Sequence, residues 1–536
     1  MALLHQRSAI FSFALCLALL FFCTGCGPER VDGPDAVSVS VMADGGSQEV
    51  NLVAGSTVEN ALDSANIVLS QTDRVDPPLY SVLNGGEIIV VIRVQEEFET
   101  RQEIVPFERQ ELQNESLPAG ETRLVQAGMN GLREVTIRHV LENGIEVSSS
   151  VVAETLLQTA VPEIVMVGVQ SPFAPIVISG KMVYLTGGNA WVMEDSTAVR
   201  RPLLASADLD GRVFALSPDG KWLLFSRASE KPAEEEINTL WVIRTDQQGV
   251  QPIDLGVSNV VHFADWRPGD SYTIFFSTVE PRSTAPGWQA NNDLYSQSFQ
   301  GEAPHQPVEI LETNPGGIYG WWGMDFSWSS DGSRLAYSRP DSIGVVDIEN
   351  GSLEEILAIT PFNTFADWAW SPGLMWAPDN RGLYFVDHAP PSGLSTAEES
   401  TNFDLRYYSF LDTASSRLVQ DTGMFAYPST SALQLSDAGL SYQTAYLQAA
   451  APSQSASSRY RLMLLSAENT GPVLLFPREG VNGMEPQQVR WSPLPAETRR
   501  QLIALIYAGN LWILDATSGE TQQITGDGLT IRIDWK

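Results

Sequence analysis

The chain has 536 residues, which is too long for one ordinary domain and predicts three or four folded units. Hydrophobic residues make up 43% of it, enough for large cores, and the net charge is −33. That charge argues against nucleic acid as a partner, because phosphate binding needs clustered Lys and Arg. The acidity indicates a solvated, self-repelling surface, or one that attracts cations or cationic polymers.

The first 26 residues have the pattern of a targeting segment. Arg7 precedes an apolar run from Ala9 to Phe22 that is too short to span a membrane comfortably. The motif CTGC at 23–26 resembles the bacterial lipobox, although Cys23 stands where Leu is usual. The resemblance implies cleavage before Cys26, a lipid on its thiol, and an extracytoplasmic protein held on a bacterial membrane, at the cell surface or in the periplasm. An ordinary secretory signal is the alternative.

All three cysteines lie within this segment, at positions 16, 23 and 26. The folded domains are therefore predicted to lack disulfides, thiolate metal sites and cysteine nucleophiles. Residues 27–36, with two prolines and two glycines after the lipobox, have the composition of a tether.

Residues 37–94 predict a small α+β module. Two strands flank the turn at Asp44-Gly45-Gly46, and EIIVVIRV at 87–94 is a third strand. Between them, Ser56 and Glu59 have the spacing of a capping box, which predicts a helix to about Ala65. This order of elements suggests a ubiquitin-like β-grasp.

Residues 95–170 predict an all-β module with an Asn-Gly hairpin turn at 142–144. The run PAGETRLVQAGMNGLREVTIRHVLENGIEVSSSVVAETLLQTAVPEIVMVG is similar to the G5 domain. Its glycines fall at Gly120, Gly128, Gly131, Gly144 and Gly168. A β-grasp module directly before a G5 domain resembles the arrangement in bacterial cell-wall proteins of the resuscitation-promoting type.

The G5 resemblance implies binding to polymers that contain N-acetylglucosamine, and lateral association through zinc in some repeat arrays. The competing interpretation of the glycines is structural, since glycine supplies positive φ and bulges in a thin sheet. Relatives with this arrangement often carry a wall-cleaving domain beside these modules, whereas this chain continues into a different region.

A phrase of apolar strand, Ser-Pro-Asp-Gly turn and second strand recurs six times within residues 171–536, as in LSPDGKWLLF at 216–225 and WSSDG at 328–332. A second phrase, as in NLWILDATSGETQQIT from Asn510, occurs seven times. Together they predict four-stranded propeller blades. Because the second phrase occurs once more than the first, one copy lacks an innermost strand. This indicates that the last strand, from Thr530, completes a first blade containing Lys181–Thr186. We predict seven blades, with six or eight as alternatives.

These repeats resemble those of TolB-type, WD40-like propellers from about residue 176 onward. The fold class is therefore mostly β, a closed propeller after a small α+β module and an all-β module. The fold itself leaves the activity open, because propellers host many functions.

No nucleophile elbow, zinc-protease, P-loop or EF-hand motif is present, and no cofactor is expected. The four histidines after the leader are widely separated and have the pattern of ordinary surface or sheet residues (His139, His262, His305, His388). The DLDG run at 208–211 favours a turn over a calcium loop.

Aromatic residues are the strongest lead to a site. Trp266, Trp328, Trp376, Trp491 and Trp535 fall in phase on innermost strands and predict packing between blades. Others lie in segments that enter the ring at the top face and could stack on a sugar or a peptide, or form a hydrophobic plug. These ligand-binding candidates are Tyr319, Trp321, Trp322, Phe362, Phe365, Phe425 and Tyr427, with Asp265, Asp325 and Asp367 beside innermost strands.

The leading hypothesis is a non-catalytic, membrane-anchored lipoprotein. Its partners would be a cell-wall or extracellular glycan, and a protein or glycan on the propeller's top face. One alternative is a propeller-type glycan lyase or hydrolase, which predicts Asp, Glu or His converging at the channel mouth with perturbed pKa values. Another alternative is a scaffold for an envelope protein complex.

Overall fold

The computed structural model describes residues 36–114, 117–161, 163–168, 173–300, 303–391, 396–436, 439–465, 471–493 and 500–536. The predicted leader, the lipidation residue Cys26 and the tether up to residue 35 lie outside these ranges. The chain divides into two compact units, one formed by residues up to 105 with 131–159, the other by 106–130 with 160–536. No helix in the described part is long and apolar enough to cross a membrane.

In the first unit, a four-stranded sheet packs against helix α1, Val58–Ser64. Its strands are, in spatial order, Gly46–Val53, Ala36–Ala43, Ile88–Ile92 and Arg74–Asp76. Thr57, rather than Ser56, is the N-cap, because its backbone N–H donates to Oδ1 of Asn60 at 3.0 Å. The capping box therefore begins one residue later than the sequence spacing predicted.

The second sheet of this unit has little core. It consists of Val94–Val105, Gly131–Glu142 and Ile145–Gln158, with the middle range central. The outer strand Ile145–Gln158 is exposed on both faces along nearly its whole length. The sheet is crossed by ion pairs, such as Arg133 with Glu103 at 2.8 Å and with Glu154 at 3.2 Å.

The second unit begins with a three-stranded sheet, in the order Arg109–Asn114, Glu163–Gly168, Thr122–Gln126. Seven further antiparallel sheets follow within the described ranges. From the innermost strand outward, the first sheet consists of Thr530–Trp535, Val177–Thr186 and Asn189–Leu204, and the second of Leu209–Leu216, Trp222–Ala228, Asn238–Arg244 and Ile253–Ser258. The third sheet consists of Ala264–Trp266, Thr273–Phe276, Leu294–Gln300 and Val308–Leu311, and Ala303–Pro304 pairs beside its third strand. The fourth sheet consists of Asp325–Trp328, Leu335–Arg339, Ser342–Asp347 and Ser352–Ala358.

The fifth to seventh sheets are built in the same way. The fifth sheet consists of Leu374–Trp376, Gly382–His388, Phe403–Ser409 and Ala414–Val419. The sixth consists of Ser429–Thr430, Thr444–Ala449, Tyr460–Leu464 and Val473–Phe476. The seventh consists of Arg490–Trp491, Leu502–Tyr507, Asn510–Asp515 and Thr521–Gln523. Two small hairpins, Val279–Pro281 with Trp288–Ala290 and Gln434–Ser436 with Gly439–Ser441, interrupt the third and sixth sheets. Short 3₁₀ helices lie at Ala397–Glu399 and Pro452–Gln454.

The repeated turn has the same hydrogen bonds in each of two full copies. In one, Ser217 Oγ donates to Asp219 at 2.7 Å and accepts the N–H of Trp222, while Gly220 takes a φ of +64°. Ser329, Asp331 and Gly332 repeat this arrangement. The motif recurs because each residue type has a fixed role in closing the strand-turn-strand unit.

The predicted pairing of the last strand is present. Thr530–Trp535 runs antiparallel to Met182–Thr186, and the backbone N–H of Lys181 donates to the carbonyl of Lys536 at 2.7 Å. One apolar cluster joins the first sheet to the last, through Met182, Ile533, Leu502 and others. Further clusters join the first sheet to the second, the second to the third and the third to the fourth.

The first sheet has three strands instead of the expected four. Beyond Asp195, whose φ is +62°, the chain pairs with the start of the same sheet instead of turning back as a new outer strand. Thr197 N–H donates to the carbonyl of Ile176, and Thr197 Oγ1 accepts the N–H of Ile176. These bonds keep Asn189–Leu204 in one strand.

The in-phase tryptophans are buried between sheets, as predicted (Trp266, Trp328, Trp376, Trp491, Trp535). Two of them also connect neighbouring sheets, because Trp266 Nε1 donates to the carbonyl of Ala215 and Trp376 Nε1 donates to that of Ser327. These contacts hold neighbouring innermost strands side by side.

Candidate binding site

A cavity of about 240 Å³ lies at the start of the innermost strands of the third to sixth sheets, and we name it the upper cavity. Four segments supply most of its wall, which includes His262, Phe263, Asp325, Phe326, Pro372, Gly373, Leu374, Tyr427, Pro428 and Gln488. Because these residues begin the third to sixth sheets, the fold brings together side chains that are far apart in sequence.

Asp325 is the only acidic residue among the described residues lining the upper cavity. It begins the innermost strand of the fourth sheet, and its carboxylate makes no hydrogen bond or ion pair to any described residue. The residue is solvent-exposed within the cavity, where the surrounding protein partly displaces its hydration and raises its pKa, an effect partly offset by His262. An unpaired carboxylate facing a cavity is a strong acceptor for a bound donor or cation.

His262 is closely surrounded by aromatic rings. Its ring centroid lies 5.5 Å from that of Trp322 and 5.8 Å from that of Trp288, and its buried Nε2 lacks a hydrogen bond among the described residues. Burial lowers its pKa, so the imidazole is neutral near pH 7. A Cβ at position 323 would come within 2.4 Å of the imidazole, which explains the glycine there.

Tyr427 completes the polar part of the wall. Its backbone has a φ of +36°, and burial, reinforced by Asp325, raises its pKa to about 12. The phenol therefore stays protonated and can donate a hydrogen bond into the cavity. With Asp325 and neutral His262, it forms a group that can bind a polar ligand.

The segment with Tyr319, Trp321 and Trp322 is held in a defined conformation. Asn292 Nδ2 donates to the carbonyl of Gly320 at 2.8 Å, and the N–H of Ile318 donates to Asp341 at 2.8 Å. Tyr319 has a φ of +57°. Trp322 packs on Trp288 at 5.3 Å and on Trp321 at 5.9 Å, and all three side chains are half-buried.

Sequence reasoning missed Trp288 and the role of His262. Trp288 lies on the hairpin inserted in the third sheet, outside the repeat phase, and Arg212 lies over its ring at 5.3 Å. Both residues precede or interrupt strands, so the strand pattern gave no signal for them. The lone Trp in a Gly-flanked insertion was the available sign.

The other aromatic candidates divide between packed and exposed positions. Phe362 lies edge-on to Phe403 at 5.4 Å, and Phe425 stacks on Tyr427 at 5.9 Å and contacts Tyr460, so both contribute to packing under the loops. Phe365 is 77% exposed. Asp367 is also exposed and is absent from the walls of the described cavities.

Asp265 belongs to a different part of the centre. It lines two adjoining cavities of about 300 and 510 Å³ with Arg490 and Lys536, beyond the upper cavity. Desolvation raises its pKa, and the charge of Lys536 lowers it. The structure therefore separates Asp265 from the group around Asp325, although Gln488 borders all three cavities.

The G5-like glycines that can be assessed have structural roles. Gly120 and Gly144 have φ values of +83° and +80°. A Cβ at Gly128 would come within 2.3 Å of Phe107, and one at Gly168 within 2.0 Å of the carbonyl of Pro118. These positions require glycine for conformation or space.

Two family models match the first part of the chain. The G5 domain matches residues 96–170, and the G5-linked ubiquitin-like domain matches residues 39–79. They confirm the predicted G5 and ubiquitin-like modules. The matched G5 residues contribute strands to both compact units.

Among curated proteins, the chain is similar to resuscitation-promoting factor Rpf2 of Corynebacterium glutamicum, with 29% identity over 159 residues. The match covers 30% of this chain and 42% of the relative, so it spans less than half of that protein. It confirms the predicted resemblance to resuscitation-promoting proteins for this part of the chain.

Solved structures with similarity include the G5 domain of IgA1 protease, at 25% identity over 15% of this chain and 94% of that one, with a TM-score of 0.12. TolB from Acinetobacter baumannii aligns over 82% of this chain and 99% of its own, at 11% identity and a TM-score of 0.36.

Proposed function

We propose that this protein is a non-catalytic binding protein of the bacterial cell envelope, whose G5 module binds glycan containing N-acetylglucosamine. The match to the G5 domain at 96–170 carries the proposal. The sheet of that module supports it, since apolar side chains such as Phe98, 62% exposed, and Val151, 51% exposed, are available on its surface. Such side chains can stack on or pack against sugar rings.

We further propose that the seven sheets form a closed seven-bladed propeller. The pairing of Thr530–Trp535 with the first sheet and the apolar cluster between the first and seventh sheets support this arrangement. On its top face, the rim residues Tyr319, Trp321, Trp322 and Phe365 and the upper cavity are the proposed site for a second ligand. A lipid on Cys26 would hold both modules at the membrane.

Retention on insoluble chitin tests the glycan proposal. The experiment needs the soluble chain from residue 27 to 536, because the strands of residues 106–130 and 160–170 cluster with the second unit and a fragment ending at 170 would divide it. We expect the Phe98→Ala variant to be retained less than the parent. Val68→Ala, at an 82% exposed position outside the G5 sheet, is the matched control. Absence of parent retention would refute the proposal.

Metabolic labelling with palmitate tests the anchor in a bacterial host. The full chain should incorporate label, Cys26→Ala should not, and Cys16→Ala should behave as the parent because Cys16 lies within the apolar run. Label in the Cys26→Ala chain would contradict lipidation at this residue.

A glycan lyase or hydrolase is the second candidate, because Asp325, His262 and Tyr427 converge with shifted pKa values. Incubation with chitin oligosaccharides distinguishes the two functions. The leading proposal expects no cleavage, whereas products that appear with the parent and disappear with Asp325→Asn would establish the enzyme.

A further inference from the structure

The carboxylate of Asp325 is solvent-exposed and lines the upper cavity, unlike the buried carboxylates of Asp293 and Asp534 in the second unit. Asp293 accepts the N–H of Thr278 at 2.7 Å. Asp534 accepts the N–H of Leu216 at 2.7 Å and pairs with Arg490 at 3.2 Å. Proteins satisfy enclosed charges in this way because an unpaired charge is costly. Asp325 has no such partner among the described residues, so its exposed carboxylate is available to a ligand in the cavity.

The nearby cations do not neutralise Asp325. Arg212 lies over the ring of Trp288, and Arg532 donates from Nε to the carbonyl of Gly211. Neither forms an ion pair with Asp325 in the described chain. A cation or a strong hydrogen-bond donor that enters the cavity can therefore pair with this carboxylate in place of water.

The size and lining of the upper cavity restrict what can enter. Its volume of about 240 Å³ is below the roughly 300–1,000 Å³ typical of pockets for drug-sized ligands, so a single small unit fits. The wall contains apolar side chains and the aromatic ring of Tyr427. It also contains three hydrogen-bonding groups, which are the phenol hydroxyl of Tyr427, the amide of Gln488 and the imidazole of His262. Mixed ring surface and hydrogen-bonding groups suit a sugar better than an alkyl chain.

We propose that the upper cavity binds an amino sugar with a free, protonated amine, a glucosamine unit rather than its N-acetylated form. The ammonium group pairs with Asp325, and Tyr427 and His262 form hydrogen bonds with the sugar hydroxyls. This inference rests on the proposed glycan-binding function and assigns a second, chemically different sugar specificity to the propeller. The net charge of −33 favours the approach of such cationic ligands.

Calorimetric titration of the chain from residue 27 to 536 tests the inference with three probes. Glucosamine carries the ring and one charge, N-acetylglucosamine the ring without the charge, and cadaverine two ammonium groups without the ring. We expect glucosamine to bind at least about tenfold more tightly than either, from one charge-assisted hydrogen bond with the sugar contacts. Equal affinity for N-acetylglucosamine, or for cadaverine, would overturn the assignment.

Variants locate the binding. Asp325→Asn should abolish the preference for glucosamine, and Tyr427→Phe should weaken glucosamine binding while leaving a preference. Asp367→Asn, the same substitution at an exposed aspartate away from the cavity, should behave as the parent. An unchanged preference in Asp325→Asn refutes the inference. Retention on chitin is measured in parallel, because its loss in the parent would refute the G5 proposal and leave the cavity result standing.

Discussion

Removing the indole of Trp535 tests whether the last strand stabilises the second unit. Trp535 is 3% exposed, packs in the cluster between the first and seventh sheets, and donates from Nε1 to the carbonyl of Ser179 at 2.7 Å. A buried Trp→Ala change costs about 3–5 kcal/mol, and the carbonyl that loses its donor adds about 1 kcal/mol. We therefore expect Trp535→Ala to lower the free energy of unfolding by about 4–6 kcal/mol.

Urea unfolding followed by circular dichroism measures this loss. With an m value of about 3 kcal/mol per molar, a loss of about 4 kcal/mol lowers the midpoint by about 1.3 M. Ile531→Ala on the same strand is the control, since Ile531 is 53% exposed and should change stability by less than about 0.5 kcal/mol. Equal midpoints for Trp535→Ala and the parent would show that the strand does not support the unit.

Three further predictions concern other sites. Because the pKa of Asp325 is raised above its usual 3.8, ionisation of this one group adds a downward slope to the dependence of folding stability on pH above 3.8. Asp325→Asn should remove this slope, so its melting temperature should exceed that of the parent at pH 7 and approach it near pH 4; a lower value at pH 7 would contradict the reasoning. Glu146 hydrogen-bonds His139 at 3.1 Å and is the main cause of that residue's raised pKa. NMR titration of Glu146→Gln should show the His139 pKa falling toward 6.5, and no change would exclude this contact in solution. A Cβ at Gly320 would come within 1.9 Å of the carbonyl of Pro315, so Gly320→Ala should cost about 1–3 kcal/mol in thermal unfolding, and an unaffected variant would show that the segment adjusts.

The repeated turns carried most of the information about the second unit. The Ser, Asp and Gly of each turn have local roles, so their recurrence identified the strand pairs without knowledge of the rest. Trp266 and Trp376 could be placed on innermost strands because they keep a fixed spacing before those turns. The excess half-repeat then predicted the pairing of residues 530–535 with the first sheet, which the structure contains.

The candidate site was predicted only in part, because a cavity depends on contacts between segments distant in sequence. Asp325 was selected for its position beside an innermost strand and Tyr427 as an aromatic residue in a top-face segment, and both line the upper cavity. Phe362 and Phe425 have the same local pattern but pack against neighbours, a distinction set by residues such as Phe403. His262 gave no signal because its surroundings come from an insertion and from the next sheet.

Local rules were also overridden in the first sheet. The polar residues around Asp195 have the composition of a turn, yet the strand continues because Thr197 and Ile176 hydrogen-bond to each other. The sequence was compatible with either a turn or a strand here, and the pairing of this segment with residues 176–177 made it a strand. The strands of the G5 module fall into two compact units, although the sequence predicted a single module at residues 95–170. The sheet of this module has little core, so each of its strands contacts mainly the strands paired with it.

The position of the last strand has a consequence for biogenesis. During synthesis Met182–Thr186 is made well before its partner strand Thr530–Trp535. Until residues 530–535 have been made, one edge of the first sheet and the apolar face around Met182 and Tyr184 remain open to chaperones and proteases. Nascent chains that stop before residue 530 should thus be degraded more readily than chains that contain this strand.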